Sequence, residues 1–368
     1  MKIKEITLRI ISQPLKAPFT THLETVTNRE CIIVEVKNDA GITGYGEVVA
    51  FSSPWYTEET VQTAFHMLKE FFIPLIKKQP VQHPEEVTSL LDKYRRNQMA
   101  KAGLETAIWD LYAKEKQISL SCLLGGVKTA IPAGVVVATN SIEDAIRQIE
   151  AFLEDGYQRV KLKISPEHDL DLIEPIRARF PSLPIMADAN SAYCLGDIHR
   201  LKALDEFGLM MIEQPLAHDD IIEHARLQKE IATPICLDES IVTYEDARKA
   251  IELGSCRVIN IKIGRVGGLQ TAKRIHDLAL AQGVQVWVGG MLEFGISRAH
   301  NIALASLPGF TIPGDISASS RYWEEDITVP EVTVKKGLIE VPTGHGIGFA
   351  INEKRLQQCT IYQEKFVF

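Results

Sequence analysis

The chain has 368 residues, 45% of them apolar and 24% charged, with a net charge of −8. That size admits one large barrel or two domains, and the acidic balance disfavours nucleic acid or an anionic membrane as partner. Six scattered cysteines (31, 122, 194, 236, 256, 359) form no CxxC pair, so neither structural zinc nor a disulfide framework is expected, and the expected compartment is a reducing cytoplasm.

In chain order, residues 1 to about 50 read as strands. The start, "MKIKEITLRIISQPLKAPF", alternates and lacks a signal peptide's continuous apolar core and cleavage site. No run approaches the roughly 18 apolar residues of a membrane span. "CIIVEVKNDAGITGYGEV" predicts a hairpin around Asn38, Asp39, Ala40 and Gly41. Residues 58–79, 84–97 and 99–116 read as helices; the last carries Ala102, Ala107, Ile108, Leu111 and Tyr112 at helical spacing. Strands followed by helices make an α+β unit, assigned to residues 1–125.

From about residue 131 the pattern alternates. Candidate strands are 131–138, 159–164, 184–189, 209–213, 234–238, 258–263, 284–288 and 310–314. Helical stretches lie between them at 141–155, 168–180, 197–207, 218–231, 243–253, 267–282 and 294–306. Eight strands at a pitch near 25 residues predict an α/β barrel over 126–320. A doubly wound sheet is the alternative, but no GxGxxG turn follows a first strand. Residues 321–368 read as strands and turns that return to the N-terminal unit.

Three acidic residues end successive apolar runs 25 residues apart: Asp188 in "PIMADAN", Glu213 in "LMMIEQP" and Asp238 in "PICLDES". A lone Asp at a strand end is most often a helix cap. Three on consecutive parallel strands converge, repel, and call for a hard divalent cation. In "RVKLKI", Lys161 and Lys163 share one face, with Val160 and Leu162 on the other. In "VINIKIG", Asn260 and Lys262 point inward. The second and sixth strands of a closed barrel lie across the pocket from each other. Lysines facing a metal-bound carboxylate can move a proton from the carbon beside it, with the cation stabilising the enediolate. Arg265, three residues after Lys262, is expected to lower that lysine's pKa. Glu239 and Glu293 are candidate supporting partners. His22, His300 and His345 read as structural or surface residues, and Gly289-Gly290 as a turn or a close backbone approach.

These residues resemble the enolase superfamily, muconate-lactonising subgroup. "FSSPWYTEET" (51–60), "MAKAGLETAIWDLYAK" (99–114), "MADAN" (186–190), "MMIEQPL" (210–216), "CLDES" (236–240), "GGMLE" (289–293) and "IPGDISASSRYW" (312–323) are similar to the branch of bacterial o-succinylbenzoate synthases shared with N-acylamino acid racemases. The resemblance spans essentially the whole chain. It implies a (β/α)7β barrel with an N-terminal α+β capping domain. It also implies a metal site of Asp188, Glu213 and Asp238 for Mg²⁺, with Mn²⁺ as the alternative.

Lys163 is implied as the base that removes the proton and returns it to the departing hydroxide. Lys262 is implied as the opposing cation, or as the second acid/base in racemisation. Lys161 would hold the substrate carboxylate, with Asn190, Thr20, Ser52 and Met291 as further substrate-binding residues. The loops Phe19 to Thr25 and Ser52 to Tyr56, with Pro54, Trp55 and Tyr56, would form an apolar lid.

The implied activity is the dehydration of a cyclohexadiene carboxylate to o-succinylbenzoate for menaquinone. N-Acylamino acid racemisation is the alternative, and a non-catalytic metal-stabilised binding protein is a different class. The expected partners are a small-molecule carboxylate and further copies of the chain, not nucleic acid or membrane. Three departures matter. "VWVGG" lacks the strand-seven His of mandelate racemases, Asp315-Ile316-Ser317 replaces the Asp-x-Asp of dipeptide epimerases, and Phe294 stands where relatives often carry a smaller residue, a change expected to alter pocket shape.

Overall fold

The computed structural model describes residues 1–21, 23–139 and 141–368; His22 lies outside the described residues. The N-terminal half-sheet follows the period-two pattern. Strands β1 (Ile3–Thr20), β2 (Thr25–Asn38) and β3 (Thr43–Val48) run antiparallel. Ile6, Leu8, Ile32, Val34 and Val36 of this sheet are fully buried. The predicted hairpin turn is present: Gly41 takes φ +85°, and Asn38 Oδ1 accepts the Ile42 amide at 2.8 Å. The helix Gln98–Glu115 lies against the sheet at glycine positions. A Cβ on Gly46 would stand 2.1 Å from the Gly103 carbonyl oxygen, so only glycine permits this approach.

The predicted helix 58–79 is two helices, Val61–Met67 and Ile73–Lys78, joined by a π turn over Leu68–Phe72. Pro74 offers no N–H to continue a regular ladder. The predicted helix 84–97 is shorter, Glu85–Leu91, and the chain turns at Arg96 and Asn97 with φ of 58° and 57°.

After β4 (Ala130–Pro132) come the parallel strands β5 (Gly134–Val137), β6 (Arg159–Lys163), β7 (Ile185–Asp188), β8 (Ile212–Glu213), β9 (Ile235–Leu237), β10 (Val258–Ile261) and β11 (Gln285–Val288), paired in that sequence. The eighth position is held by single bridges: Phe310 pairs with Val286 and Gly314 with Ala133. The Gly134 amide donates to Gly314 O at 2.8 Å and the Asp315 amide to Val288 O at 3.0 Å, which closes the barrel. The expected strand 310–314 is not continuous because Pro313 lacks a ladder donor. The fold is therefore a (β/α)7β barrel under an α+β cap. Between barrel strands run the helices Ile142–Glu154, Leu170–Arg179, Ile198–Ala203, Ile222–Glu230, Tyr244–Leu253, Leu269–Ala281 and, after β11, Gly295–Ala305. The predicted helix 267–282 starts later because Gly267 and Gly268 take φ of 90° and 129°.

The strand β12 (Thr328–Val329) pairs with β14 (Ala350–Ile351), and β13 (Leu338–Glu340) pairs with β4. The last strand, β15 (Thr360–Val367), joins the edge of β1 with Ile6 opposite Phe366. Buried carboxylates of the cap bind barrel helix starts, where free amides and the dipole favour an anion. Glu105 accepts the amides of Leu269 and Gln270 at 2.8 and 2.9 Å. Glu47 accepts those of Phe294 and Ser297, both at 2.9 Å. All six cysteines are free thiols. Among the described residues no helix is long and apolar enough to cross a membrane.

Candidate active site

Strand register places the chemistry. Lys163 lies opposite Asp188, and Asp188 opposite Glu213. Glu213 faces Cys236, so Asp238 lies one pleat further along the same face. Val160 and Leu162 pack outward among the helices, which leaves Lys161 and Lys163 pointing into the barrel.

Lys161 Nζ lies 2.8 Å from Asp188 Oδ2, 2.6 Å from Glu213 Oε2 and 3.0 Å from Asp315 Oδ2. Lys163 Nζ lies 2.7 Å from Asp188 Oδ2 and donates to Asn190 Oδ1. On the far wall, Lys262 Nζ donates to Asp238 Oδ2 and to the Tyr56 hydroxyl, both at 2.8 Å. Arg265 pairs with Asp238 and donates to Ile241 O at 2.9 Å and Tyr56 Oη at 3.1 Å. β6 and β10 are separated by three strands on one side of the barrel, so their lysines face each other across it.

These contacts set the charges. Burial opposes the charge of Lys262, but Asp238 and Tyr56 outweigh it and hold the ammonium above the usual lysine range. The expectation that Arg265 would lower this pKa is corrected: its repulsion is present but smaller than the pull of Asp238. Burial likewise opposes ionisation of Asp188, yet Lys161 and Lys163 hold it well below the carboxylate range. Glu213 goes the other way: burial, then the charge of Asp188, push it up to about 8.

Asp188, Glu213 and Asp238 stand on adjacent strands, but among the described residues no three metal-binding side chains close on one point. Ammonium groups sit among the carboxylates instead. A hard cation nevertheless fits. Glu213 Oε2 is buried and, among the described residues, accepts no hydrogen bond despite its approach to Lys161. Asn260 Nδ2 donates to the other oxygen at 2.7 Å and fixes the carboxylate's orientation. An all-oxygen set suits Mg²⁺ or Mn²⁺ rather than zinc.

One cavity is lined by Lys161, Lys163, Asp188, Asn190, Lys262 and Met291. Thr20 and Ser52 do not line it. Thr20 Oγ1 faces Thr25 Oγ1 at 3.2 Å and Ser52 Oγ reaches Glu30 at 3.3 Å, both exposed. Their neighbours Phe19, Thr21 and Phe51 face the cavity instead, because a one-residue slip in extended chain reverses side-chain direction. Phe294 does not shape the pocket either: it is fully buried and stacks on Trp323 at 4.1 Å. Gly290 is a close approach, since a Cβ there would stand 2.6 Å from Asp315 O. Glu239 accepts from Asn190 Nδ2 at 3.0 Å, while Glu293 binds Asn301 Nδ2 at 2.9 Å. His300 is buried, with its ring nitrogens near the Ile296 and Thr106 carbonyls; His345 is exposed.

Sequence reasoning missed the Tyr56 hydroxyl contact and the pair Arg159–Asp315, 2.8 Å apart. It also missed Arg298 and Tyr322 in the cavity wall. Arg159 was findable, because it shares the period-two face of Lys161 and Lys163.

Residues 144–355 match the family described as Enolase C-terminal domain-like, and residues 5–125 match the Mandelate racemase / muconate lactonizing enzyme N-terminal domain. An o-succinylbenzoate synthase of Bacillus subtilis (strain 168) is 54% identical over 366 residues, covering 100% of this chain and 99% of that protein. An N-succinylamino acid racemase of Thermus thermophilus is 46% identical, covering 99% and 98%. A solved structure of an enolase-superfamily member from Listeria innocua superposes with a TM-score of 0.97 at 42% identity, covering 100% of this chain and 99% of that one.

Proposed function

We propose that this chain, which belongs to the enolase superfamily, is an o-succinylbenzoate synthase that dehydrates 2-succinyl-6-hydroxy-2,4-cyclohexadiene-1-carboxylate. The observation that carries this reading is the placement of Lys163 and Lys262 on opposing walls of one cavity that Asp188 also lines. Enolase-superfamily enzymes generally use a divalent metal. We assign Asp188, Glu213 and Asp238 to hold it and Mg²⁺ as the ion, with Mn²⁺ as the alternative. When bound, the cation supplies positive charge that stabilises the enediolate oxygens.

Lys163 takes the proton from the carbon beside the carboxylate, and the electron pair enters the ring. It returns that proton to the hydroxyl leaving from the same face, so water departs and the ring becomes aromatic. Lys262 stays protonated opposite it. Its raised pKa, from Asp238 and Tyr56, suits a group required for its charge. Asn190 orients Lys163 through its side-chain oxygen, and Lys161 holds the substrate carboxylate. Phe19, Phe51, Trp55 and Met291 cover the cavity with apolar surface and exclude water.

A second reading, N-acylamino acid racemisation, is favoured by the same opposed lysines and by the racemase at 46% identity. It requires Lys163 and Lys262 to exchange acid and base roles. Steady-state assays of both reactions with Mg²⁺ rank the two. Fast racemisation without detectable dehydration would overturn the leading reading. Turnover in neither assay would leave the non-catalytic binding protein.

A further inference from the structure

The core buries four arginine side chains: Arg29, Arg159, Arg265 and Arg298. Three have several hydrogen-bond or ion-pair partners, although among the described residues Arg159 Nη1 has none. Arg29 donates to the carbonyls of Val49, Ala50 and Leu292 at 2.6, 2.7 and 3.3 Å, and to that of Glu30. Arg159 pairs with Asp315, and Arg265 with Asp238. Arg298 differs. Among the described residues its guanidinium makes one hydrogen bond, from Nη1 to Ser319 Oγ at 3.2 Å, and has no ion-pair partner. Asp326 reaches it only through that hydroxyl, which donates to Asp326 Oδ2 at 2.6 Å.

Arg298 lies four residues into the helix Gly295–Ala305, 2% exposed, in the wall of the same cavity as Lys163 and Lys262. A buried cation without an anion is costly, and a guanidinium fork matches a carboxylate with two parallel hydrogen bonds. Ser317 lines the same cavity, 5% exposed, and its hydroxyl makes no hydrogen bond among the described residues. Tyr322 completes this group, with its ring 5.3 Å from the Arg298 guanidinium carbon. Among the described residues, the side chains of this group share no hydrogen bond or ion pair with Lys161, Lys163, Lys262, Asp188, Glu213 or Asp238, so they form a second polar patch in one cavity.

We propose that Arg298, with Ser317, binds a second carboxylate of the substrate, the terminal carboxylate of a succinyl chain. The site therefore selects dicarboxylates whose second acid group lies away from the reacting carbon. This rests on the functional reading above, in which the first carboxylate lies at Lys161 and the strand carboxylates. Both the cyclohexadiene substrate and an N-succinylamino acid carry such a chain, which gives one subsite to both reactions.

The test uses the Mg²⁺-loaded full chain and two ligands, o-succinylbenzoate and 2-butyrylbenzoate, in which a methyl group replaces the terminal carboxylate. Calorimetry is expected to show o-succinylbenzoate binding about tenfold tighter or more. Arg298→Met is expected to bring the two affinities together, and Arg298→Lys to retain part of the difference. In racemisation, Arg298→Met is expected to lower the ratio of kcat/KM for N-succinyl over N-acetyl substrates by about tenfold. A purely structural role would lower both and leave the ratio alone. Equal affinities in the wild type overturn the proposal even if Arg298→Met fails to fold, as does a preference that survives the substitution. A wild type that prefers o-succinylbenzoate yet catalyses neither reaction sinks the functional reading and sustains the subsite.

Discussion

Tyr56→Phe removes one oxygen from the capping loop and tests whether the cap completes the second acid/base of the barrel. The hydroxyl accepts from Lys262 Nζ at 2.8 Å and Arg265 Nη1 at 3.1 Å. Phenylalanine keeps the ring, and with it the packing on Trp55 at 5.7 Å and the Lys262 contact at 4.6 Å. Arg265 retains Asp238 and two carbonyl acceptors, so its loss is small. Asp238 loses the long bond it accepts from the Tyr56 hydroxyl at 3.3 Å. Among the described residues Lys262 keeps Asp238 as its hydrogen-bond acceptor, and its own charge-assisted bond to Tyr56, the largest loss in this dry site, is worth about 1.5–3 kcal/mol. If that bond aims Lys262 at the substrate, racemisation should fall roughly 10- to 100-fold in kcat/KM. Dehydration needs only the charge of Lys262, which Asp238 preserves, and should fall by only about threefold. The assay is steady-state kinetics of both reactions on one preparation, with α-proton exchange in deuterated water followed for each enantiomer. Exchange on the Lys262 face should slow, while the Lys163 face keeps its rate. Equal losses in both reactions, or no loss in either, would refute the argument that Tyr56 positions Lys262.

The remaining predictions concern the base, the metal and the domain contact. Lys163→Ala should abolish dehydration. Lys262→Ala should abolish racemisation while leaving measurable dehydration, and racemisation retained in that variant contradicts the two-base assignment. Exhaustive chelation should remove both activities, with Mg²⁺ or Mn²⁺ restoring them; activity that resists chelation rules out Asp188, Glu213 and Asp238 as holders of an essential cation. Burial pushes Glu47 and Glu105 up to about 7 from 4.5. Between those values the native chain keeps protons that the unfolded chain has released. Each residue should therefore contribute a loss of stability as pH rises through that window, up to about 3 kcal/mol. Urea unfolding of wild type and Glu105→Gln at pH 5 and pH 8 measures this. The wild type should lose stability relative to the variant on going to pH 8, and a relative gain would contradict the assigned direction.

The barrel was legible because its strands are buried on both faces and recur at a nearly constant pitch. The spacing of Asp188 and Glu213 also encodes a register: with Lys163 opposite Asp188 and Asp188 opposite Glu213, a 25-residue repeat becomes a row of neighbours on one wall. Where local pattern and spatial neighbour part company, the reading failed. Thr20 and Ser52 lie one residue from side chains that do face the cavity, and the choice of face is made by how the loop packs, not by its composition. Phe294 lies beside the cavity loop in sequence, yet its ring fills a separate core with Trp323. Lys262 follows the same logic: Arg265 is its neighbour along the chain, but Asp238, 2.8 Å away, exerts the stronger pull and sets the direction of its pKa.

Tyr56 and Arg298 show what this means for catalysis. The cap supplies the hydroxyl on Lys262, while the loop and helix after β11 supply Arg298 and the wall around Met291. Glu47 of the cap binds the start of that same helix. The helix that carries Arg298 is therefore anchored at its start by a contact from the cap. A substitution that loosens Glu47 should shift substrate preference before it reaches the lysines, because the Glu47 contact is to the helix carrying Arg298 and not to β6 or β10.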